Sequence, residues 1–226
     1  MSTSRAASTS SSTPTTIADV VAARGITEIL HFTTNFGLIG VGAKAAVLSR
    51  ALLDVDQYLE HICKPVWISR WKDADWIGYV NMSISHISHR MFTVSRKRHD
   101  GLDLWWPVLS FRPDILSDPG VVFATTNNSY ESVVQRGEGA EGLEALFGAA
   151  VAWGHYGSTH YRRTLMPDSW TTDDQAEVLY PNQLGLDHLQ AVYVETEDLV
   201  DDAIACLSMW RATEDVPVIC KPEVYQ

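Results

Sequence analysis

The sequence predicts an α+β protein built on mainly antiparallel sheets. Two observations carry this: segments with two-residue apolar alternation outnumber segments with helical periodicity, and the two kinds do not alternate as the βαβ units of a parallel sheet would. At 226 residues, 46% hydrophobic and 20% charged, the chain has the composition of a globular protein with its own core. No apolar run approaches the roughly 20 residues that span a bilayer. Met1 to Thr16 is mostly Ser, Thr and Ala and lacks the apolar segment of a secretory signal. Residues 1–16 therefore read as a disordered tail on a cytoplasmic protein, and 17–226 as one domain. Cys63, Cys206 and Cys220 are odd in number and far apart, which argues against a disulfide framework or a zinc cluster.

Along the chain, Ile17 to Arg24 reads as a short helix stopped by Gly25, and Thr27 to Thr33 as the first strand. Thr34 and Asn35 then offer side-chain oxygens to start a helix carried by Phe36 to Lys44. Gly37, Gly40 and Gly42 each cost that helix up to about 1 kcal/mol, so close approach of a ligand or another backbone is expected there. Ala46 to Lys64 is expected as a strand or turn followed by a short helix, and Trp67 to Trp76 as a connection. Tyr79 to Ser85 alternates as a strand and runs into His86, Ser88, His89 and Arg90, a density of protonatable groups that marks a site. His86 and His89 could share a metal, but no carboxylate or cysteine lies close in sequence to complete a shell, so no metal is expected.

Leu104 to Phe111 reads as a buried strand that Pro107 confines to an edge or a bulge, and Val121 to Thr126 as a strand ending at Asn127 and Asn128. Glu138 to Ala152 fits a helix behind a loop whose glycines, Gly137 and Gly139, lack the Lys-Ser/Thr of a phosphate loop. Trp153 to Asp174 has little periodicity and is expected as a long functional loop. It leads into a strand from Gln175 to Pro181, in which Gln175 and Glu177 would project from one face. On this pattern alone Glu177 reads as a solvated carboxylate on the exposed face of a half-buried strand, and the pattern does not name a catalyst. Leu189 to Thr196 is a strand, Glu197 to Arg211 a helix with an apolar stripe, and Val216 to Cys220 a last strand.

A net charge of −11 excludes a protein that coats nucleic acid through its whole surface, because neutralised phosphates supply that affinity. Contact with nucleic acid is confined to local clusters, Arg90 to His99 and His160 to Arg163, each of which also reads as a solvated loop.

Four segments in order, His31-Phe32-Thr33, Tyr79-Val80-Asn81, Val121 to Thr125 and Gln175-Ala176-Glu177-Val178-Leu179, resemble the DarT family of NAD-dependent DNA ADP-ribosyltransferase toxins. The resemblance spans Ile29 to Thr196 and implies an ADP-ribosyltransferase-like fold, two packed sheets with an NAD cleft between them. It also implies NAD as a co-substrate, single-stranded DNA as acceptor and a macrodomain-type antitoxin that removes the mark. No membrane partner is expected. NAD would be held by His31, Phe32, Thr33 and Gly40, and by Tyr79, Asn81, Ser83 and Gln175. Breaking the bond between ribose and nicotinamide passes through an oxocarbenium-like cation that a carboxylate stabilises, the role the resemblance gives to Glu177. The arginine that the family carries after its Tyr-Val strand is missing near His86 or Ile87. His86, His89 or Arg90 would replace it, with His86 and Arg90 as candidates to activate the acceptor. On that departure guanine is favoured over thymine. His155, Tyr156, His160, Tyr161, Arg162 and Arg163 suit a single strand, with rings stacking on unpaired bases and guanidinium groups pairing with phosphate. An RNA or protein acceptor, or a binding module without turnover, are the alternatives.

Overall fold

A computed structural model describes residues 16–53 and 74–226. Most of the expected Ser/Thr-rich tail, and most of the helix and connection expected between Ala46 and Trp76, lie outside the described residues.

α1 (Ile17–Arg24) opens with a reciprocal cap: Thr16 Oγ1 accepts the Asp19 N–H and the Asp19 carboxylate accepts the Thr16 N–H, each at 3.1 Å. It ends at Gly25, whose φ of 64° is left-handed. β1 (Ile29–Phe32) follows, and Thr34 caps α2 (Asn35–Lys44) by accepting the Gly37 N–H at 3.0 Å. A Cβ on Gly42 would stand 2.5 Å from the Trp210 ring, so this glycine answers to packing.

β2 (Ala46–Leu48), β3 (Tyr79–Ile84), α3 (His89–Arg98), β4 (Val108–Phe111), β5 (Val122–Ala124) and β6 (Arg136–Gly137) lead to α4 (Gly139–Ala145). β7 (Ala150–Trp153), β8 (Ser158–Tyr161), β9 (Glu177–Pro181), β10 (Gln183–Gly185) and β11 (Leu189–Val194) precede α5 (Leu199–Ser208) and β12 (Val218–Cys220). Among the described residues the main sheet runs β12-β11-β4-β1-β3-β9-β5-β6, antiparallel except between β11 and β12. Its halves, β12-β11-β4-β1 and β3-β9-β5-β6, join over Ile29↔Ile84 and Leu30↔Ser83 alone. Where that ladder stops, the His31 ring links the halves, donating from Nδ1 to the Asn81 carbonyl at 2.9 Å.

Alternation along the strands serves two cores. Ile29, Leu109, Phe111 and Val192 pack with Val20 of α1, Leu38 of α2, Leu143 of α4 and Leu207 of α5. Their neighbours Leu30, Val108, Ala191 and Tyr193 pack on the opposite face with Phe92 of α3.

The structure departs from the expected elements at four places. Pro107 precedes β4 instead of interrupting it, and its carbonyl accepts the Thr33 N–H at 3.0 Å, so β4 is a central strand. The basic run after His89 is helical, capped by Ser88 Oγ on the Met91 N–H at 3.4 Å. The helix expected from Glu138 to Ala152 ends at Ala145, with Gly148 soon after, and Ala150 begins a strand. The long loop after Trp153 contains β8, which pairs with β7 as a hairpin.

Candidate active site

Glu177 is the first residue of β9 and pairs with Ala124 of β5. Its carboxylate receives Asn81 Nδ2 at 3.0 Å, the Asn128 backbone N–H at 3.2 Å and Asn127 Nδ2 at 3.4 Å. Three donors, one from the neighbouring strand β3 and two from the turn after β5, therefore fix the orientation of this side chain. The turn is itself braced. Asn127 Oδ1 accepts the Ser129 N–H at 3.0 Å and the Ser129 hydroxyl, which aims the Asn127 amide nitrogen at Glu177. Arg136 donates to Asn128 Oδ1 at 2.6 Å and to the Asn128 carbonyl at 2.9 Å.

Asn81 connects Glu177 to His31, since its side chain donates to the carboxylate while its carbonyl accepts from the imidazole. Burial lowers the His31 pKa, with the Asn81 hydrogen bond acting weakly the other way. The ring is therefore neutral near pH 7 with its proton on Nδ1, and Nε2 is an acceptor. A cavity of about 290 Å³ adjoins it, lined by His31, Thr33, Gly40, Tyr79 and Asn81 together with the cations Lys44 and Arg50. A Cβ on Gly37 would collide with the Thr33 side chain, so that glycine keeps α2 close to the cavity wall.

Three residues expected at the NAD cleft lie elsewhere. Phe32 alternates to the opposite face from His31 and packs against Phe92 and Trp106, with ring centroids 5.4 and 6.2 Å apart. Ser83 lies in the joined part of the sheet, paired with Leu30, and does not line the cavity. Gln175 precedes β9 instead of sharing its face. It is 2% exposed, accepts the Tyr130 hydroxyl at 3.2 Å and donates its N–H to Asp173 at 3.0 Å.

A second cavity, of about 460 Å³, is lined by His86, His89, Arg163, Trp170, Thr172 and Asp174 among others. The His86 ring lies on Trp170 with centroids 4.6 Å apart. Burial lowers its pKa, against the hydrogen bond from Nδ1 to the Ile87 carbonyl. Burial, and then the Asp173 charge, raise the pKa of Asp174. The first turn of α3 reaches toward Glu177 through Met91, whose sulfur accepts Asn127 Nδ2 at 3.5 Å. Arg90 sits 5.2 Å over the Trp153 ring, and Trp153 stacks on His160 at 4.3 Å.

Of the residues expected to meet DNA, Tyr156 is 98% exposed at the tip of the β7–β8 hairpin and Tyr161 is 71% exposed. His155 packs on Tyr130 at 4.7 Å, and Arg163 is exposed on the cavity wall. Arg162 is occupied otherwise, donating to the carbonyls of Trp170 at 2.7 Å, Pro167 at 2.9 Å and Asp168 at 3.2 Å. Asn127, Asn128, Lys44, Arg50, Trp170 and Asp174 were not singled out from the sequence. The paired asparagines after the Val121 strand were the one available signal. Among the described residues no three His, Cys, Asp or Glu side chains converge on a metal position, and no helix is long and apolar enough to cross a membrane.

In this chain the main sheet opens between β1 and β3, with the Glu177 carboxylate on the next strand, β9, braced beside the opening, and the fold as a whole matches solved DarT structures. The chain is similar to DarT from Thermus sp. 2.9 in complex with ADP-ribosylated ssDNA, at 14% identity and a TM-score of 0.64 over 89% of this chain and 97% of that one. It is also similar to the same protein in complex with NAD+, at 14% identity and a TM-score of 0.61 over 88% and 98%. DarTG from Thermosipho africanus in complex with ADP-ribose matches at 14% identity and a TM-score of 0.59, over 88% of this chain and 51% of that one, so this chain spans about half its length. No curated protein matches the chain. The model of the family described as ssDNA thymidine ADP-ribosyltransferase, DarT, matches residues 61–226, and the chain belongs to that family.

Proposed function

We propose that this protein transfers ADP-ribose from NAD to a base of single-stranded DNA, with Glu177 as the catalytic carboxylate. One observation carries the reading: Glu177 is held by Asn81, Asn127 and Asn128 beside a cavity that starts at the neutral His31. NAD fits that cavity chemically. His31 Nε2 offers an acceptor to a ribose hydroxyl, Tyr79 offers a ring, and Lys44 and Arg50 offer positive charge to a diphosphate. The bond between the nicotinamide nitrogen and the ribose anomeric carbon breaks with its electron pair leaving on nicotinamide. Glu177 stabilises the positive charge that grows on the ribose, and the acceptor nitrogen forms the new bond to the anomeric carbon while its proton passes to water. The fixed orientation of Glu177 means that little reorganisation accompanies charge development.

On the acceptor side, the exposed rings of Tyr156 and Tyr161, together with Arg90 and Arg163, face an unpaired strand, and His86 contributes through the second cavity. Arg162 is not assigned to DNA, because backbone carbonyls occupy its guanidinium. The family description names single-stranded DNA and thymidine, and one similar structure holds ADP-ribosylated ssDNA. The departure near His86, with Arg90 among its replacements, favours guanine over thymine, whereas the family description favours thymine; thymine is adopted as the acceptor on that description alone. A macrodomain-type ADP-ribosyl hydrolase is the matching antitoxin.

The test is transfer of label from NAD to single-stranded DNA, double-stranded DNA, RNA and protein, with Glu177→Ala in parallel. Label on single-stranded DNA that disappears in the variant supports the reading, and mass spectrometry of the oligonucleotide reads the base. Label on RNA or protein alone overturns the acceptor, and NAD left intact by the wild type overturns the enzyme.

A further inference from the structure

The glycine-rich stretch at Gly137 and Gly139 is no phosphate loop, but it carries Arg136 on β6, at the edge of the main sheet. Arg136 pairs with Ala124 of β5, and Ala124 pairs with Glu177 of β9, so the three stand in one row and the two charged side chains leave the same face of the sheet. Two strand spacings, roughly 10 Å, keep them from pairing directly. Asn128 fills the gap. Its N–H donates to Glu177 at 3.2 Å, while its side-chain and backbone oxygens accept Arg136 Nε at 2.6 Å and Nη2 at 2.9 Å. We propose that Arg136 is a positioning residue for the transfer reaction, gripping Asn128 so that the Asn128 N–H holds Glu177 in its catalytic orientation. The proposal rests on the role given to Glu177 above.

The arrangement requires an arginine. Every guanidinium nitrogen is engaged: besides the two bonds to Asn128, Nη2 donates to Glu131 at 2.6 Å and Nη1 donates to the other Glu131 oxygen at 3.2 Å. The guanidinium also lies 4.8 Å over the Trp76 ring, which fixes the plane of the fork. A lysine keeps the positive charge near Glu131, but its one nitrogen on a flexible stem cannot serve both oxygens of Asn128 and Glu131 together.

The seat of Arg136 is fixed as well. A Cβ on Gly137 would stand 2.9 Å from the Gly142 Cα, and one on Gly142 would collide with the Gly137 carbonyl, so β6 and α4 touch backbone to backbone. Gly142 and Leu143 of α4 are buried, which anchors that contact in the core. Packing thus holds β6, β6 aims Arg136 at Asn128, and Asn128 presents its N–H to Glu177. The same guanidinium reaches the donor side of the site through aromatic contacts, since Trp76 lies on Tyr79 with centroids 5.2 Å apart and Tyr79 lines the cavity beside His31.

The experiment measures NAD consumption with a single-stranded oligonucleotide present, for the wild type, Arg136→Lys, Glu131→Gln, Asn128→Ala and the double variant Arg136→Lys with Asn128→Ala, each well below its melting temperature. Arg136→Lys is expected to lower kcat about tenfold with the KM for NAD nearly unchanged, the size of one charge-assisted hydrogen bond on Glu177. Glu131→Gln weakens the ion pair but keeps both contacts to Asn128, so its kcat should stay within about twofold of the wild type. The double variant should fall well short of the product of the two single losses, because both substitutions cut the same link. A brace that served stability alone would lose Tm in Arg136→Lys and Glu131→Gln alike and leave kcat unmoved. That result, a loss confined to the KM for NAD, or losses that multiply in the double variant would overturn the inference while the role of Glu177 stands. A Glu177→Ala protein that consumes NAD as fast as the wild type, or a wild type that leaves NAD intact, would overturn that role and this inference with it.

Discussion

Replacing Asn81 by alanine tests whether the brace around Glu177 is part of the catalytic machinery. The substitution removes the Nδ2 donor 3.0 Å from Glu177 Oε2 but keeps the Asn81 carbonyl that His31 binds. Donors from Asn128 at 3.2 Å and Asn127 at 3.4 Å remain, so the carboxylate stays on the same side of the sheet with a looser orientation. A hydrogen bond to a charged group contributes about 1.5–3 kcal/mol, and the exposure of Asn81 lets water recover part of it. A net loss of about 1.4 kcal/mol corresponds to tenfold in rate. The expected result is a fall of about tenfold in kcat for transfer to a single-stranded oligonucleotide under saturating NAD. Stability should stay within about 0.5 kcal/mol of the wild type, because the side chain is at the surface. A kcat within twofold of the wild type would refute the argument that Asn81 holds Glu177 for catalysis. A loss confined to the KM for NAD would reassign Asn81 to binding alone.

Three further perturbations separate packing from chemistry. Arg162→Ala removes bonds to the Trp170 and Pro167 carbonyls and should cost about 2–3 kcal/mol, lowering Tm by about 5–10 °C, whereas Arg163→Ala should leave Tm nearly unchanged and raise the KM for DNA; the opposite ranking in thermal melts would contradict these roles. Gly42→Ala sets a methyl group 2.5 Å from the Trp210 ring and should destabilise by about 1–3 kcal/mol despite the better helix propensity of alanine, so a variant as stable as the wild type in urea would show that the helix and ring adjust freely. Burial lowers the His86 pKa in the folded protein, so below about pH 6.5 the unfolded chain binds a proton that the folded one resists, and stability from this group is present above that pH and lost as pH falls. His86→Gln should therefore flatten part of the decline in unfolding free energy between pH 7 and 5, and parallel curves for the two proteins would rule that contribution out.

What was legible in the sequence was local. Gly25 as a helix stop, Thr34 as a cap and the alternation of Tyr79 to Ile84 depend on neighbouring residues, and each has its expected place in the structure. The same alternation already set Phe32 on the face opposite His31 and Thr33, a signal that the family resemblance overrode. Arg162 and Arg163 are adjacent and chemically alike in sequence. Only the fold of the segment from 162 to 170 directs carbonyls at one guanidinium and leaves the other exposed.

The sequence by itself determined the α+β class and where most of the main strands fall along the chain, because period and turn chemistry act over a few residues, while the role proposed for Glu177 came from the family resemblance. Tertiary structure alone decided that Asn81, Asn127 and Asn128 meet at that carboxylate across 96, 50 and 49 residues of chain. It also made β4 central despite Pro107 and opened a second cavity around Asp174. Strand pairing brings such groups together through contacts whose sequence separation no local pattern encodes. The chemistry of the site therefore became visible only once β3, β5 and β9 lay side by side.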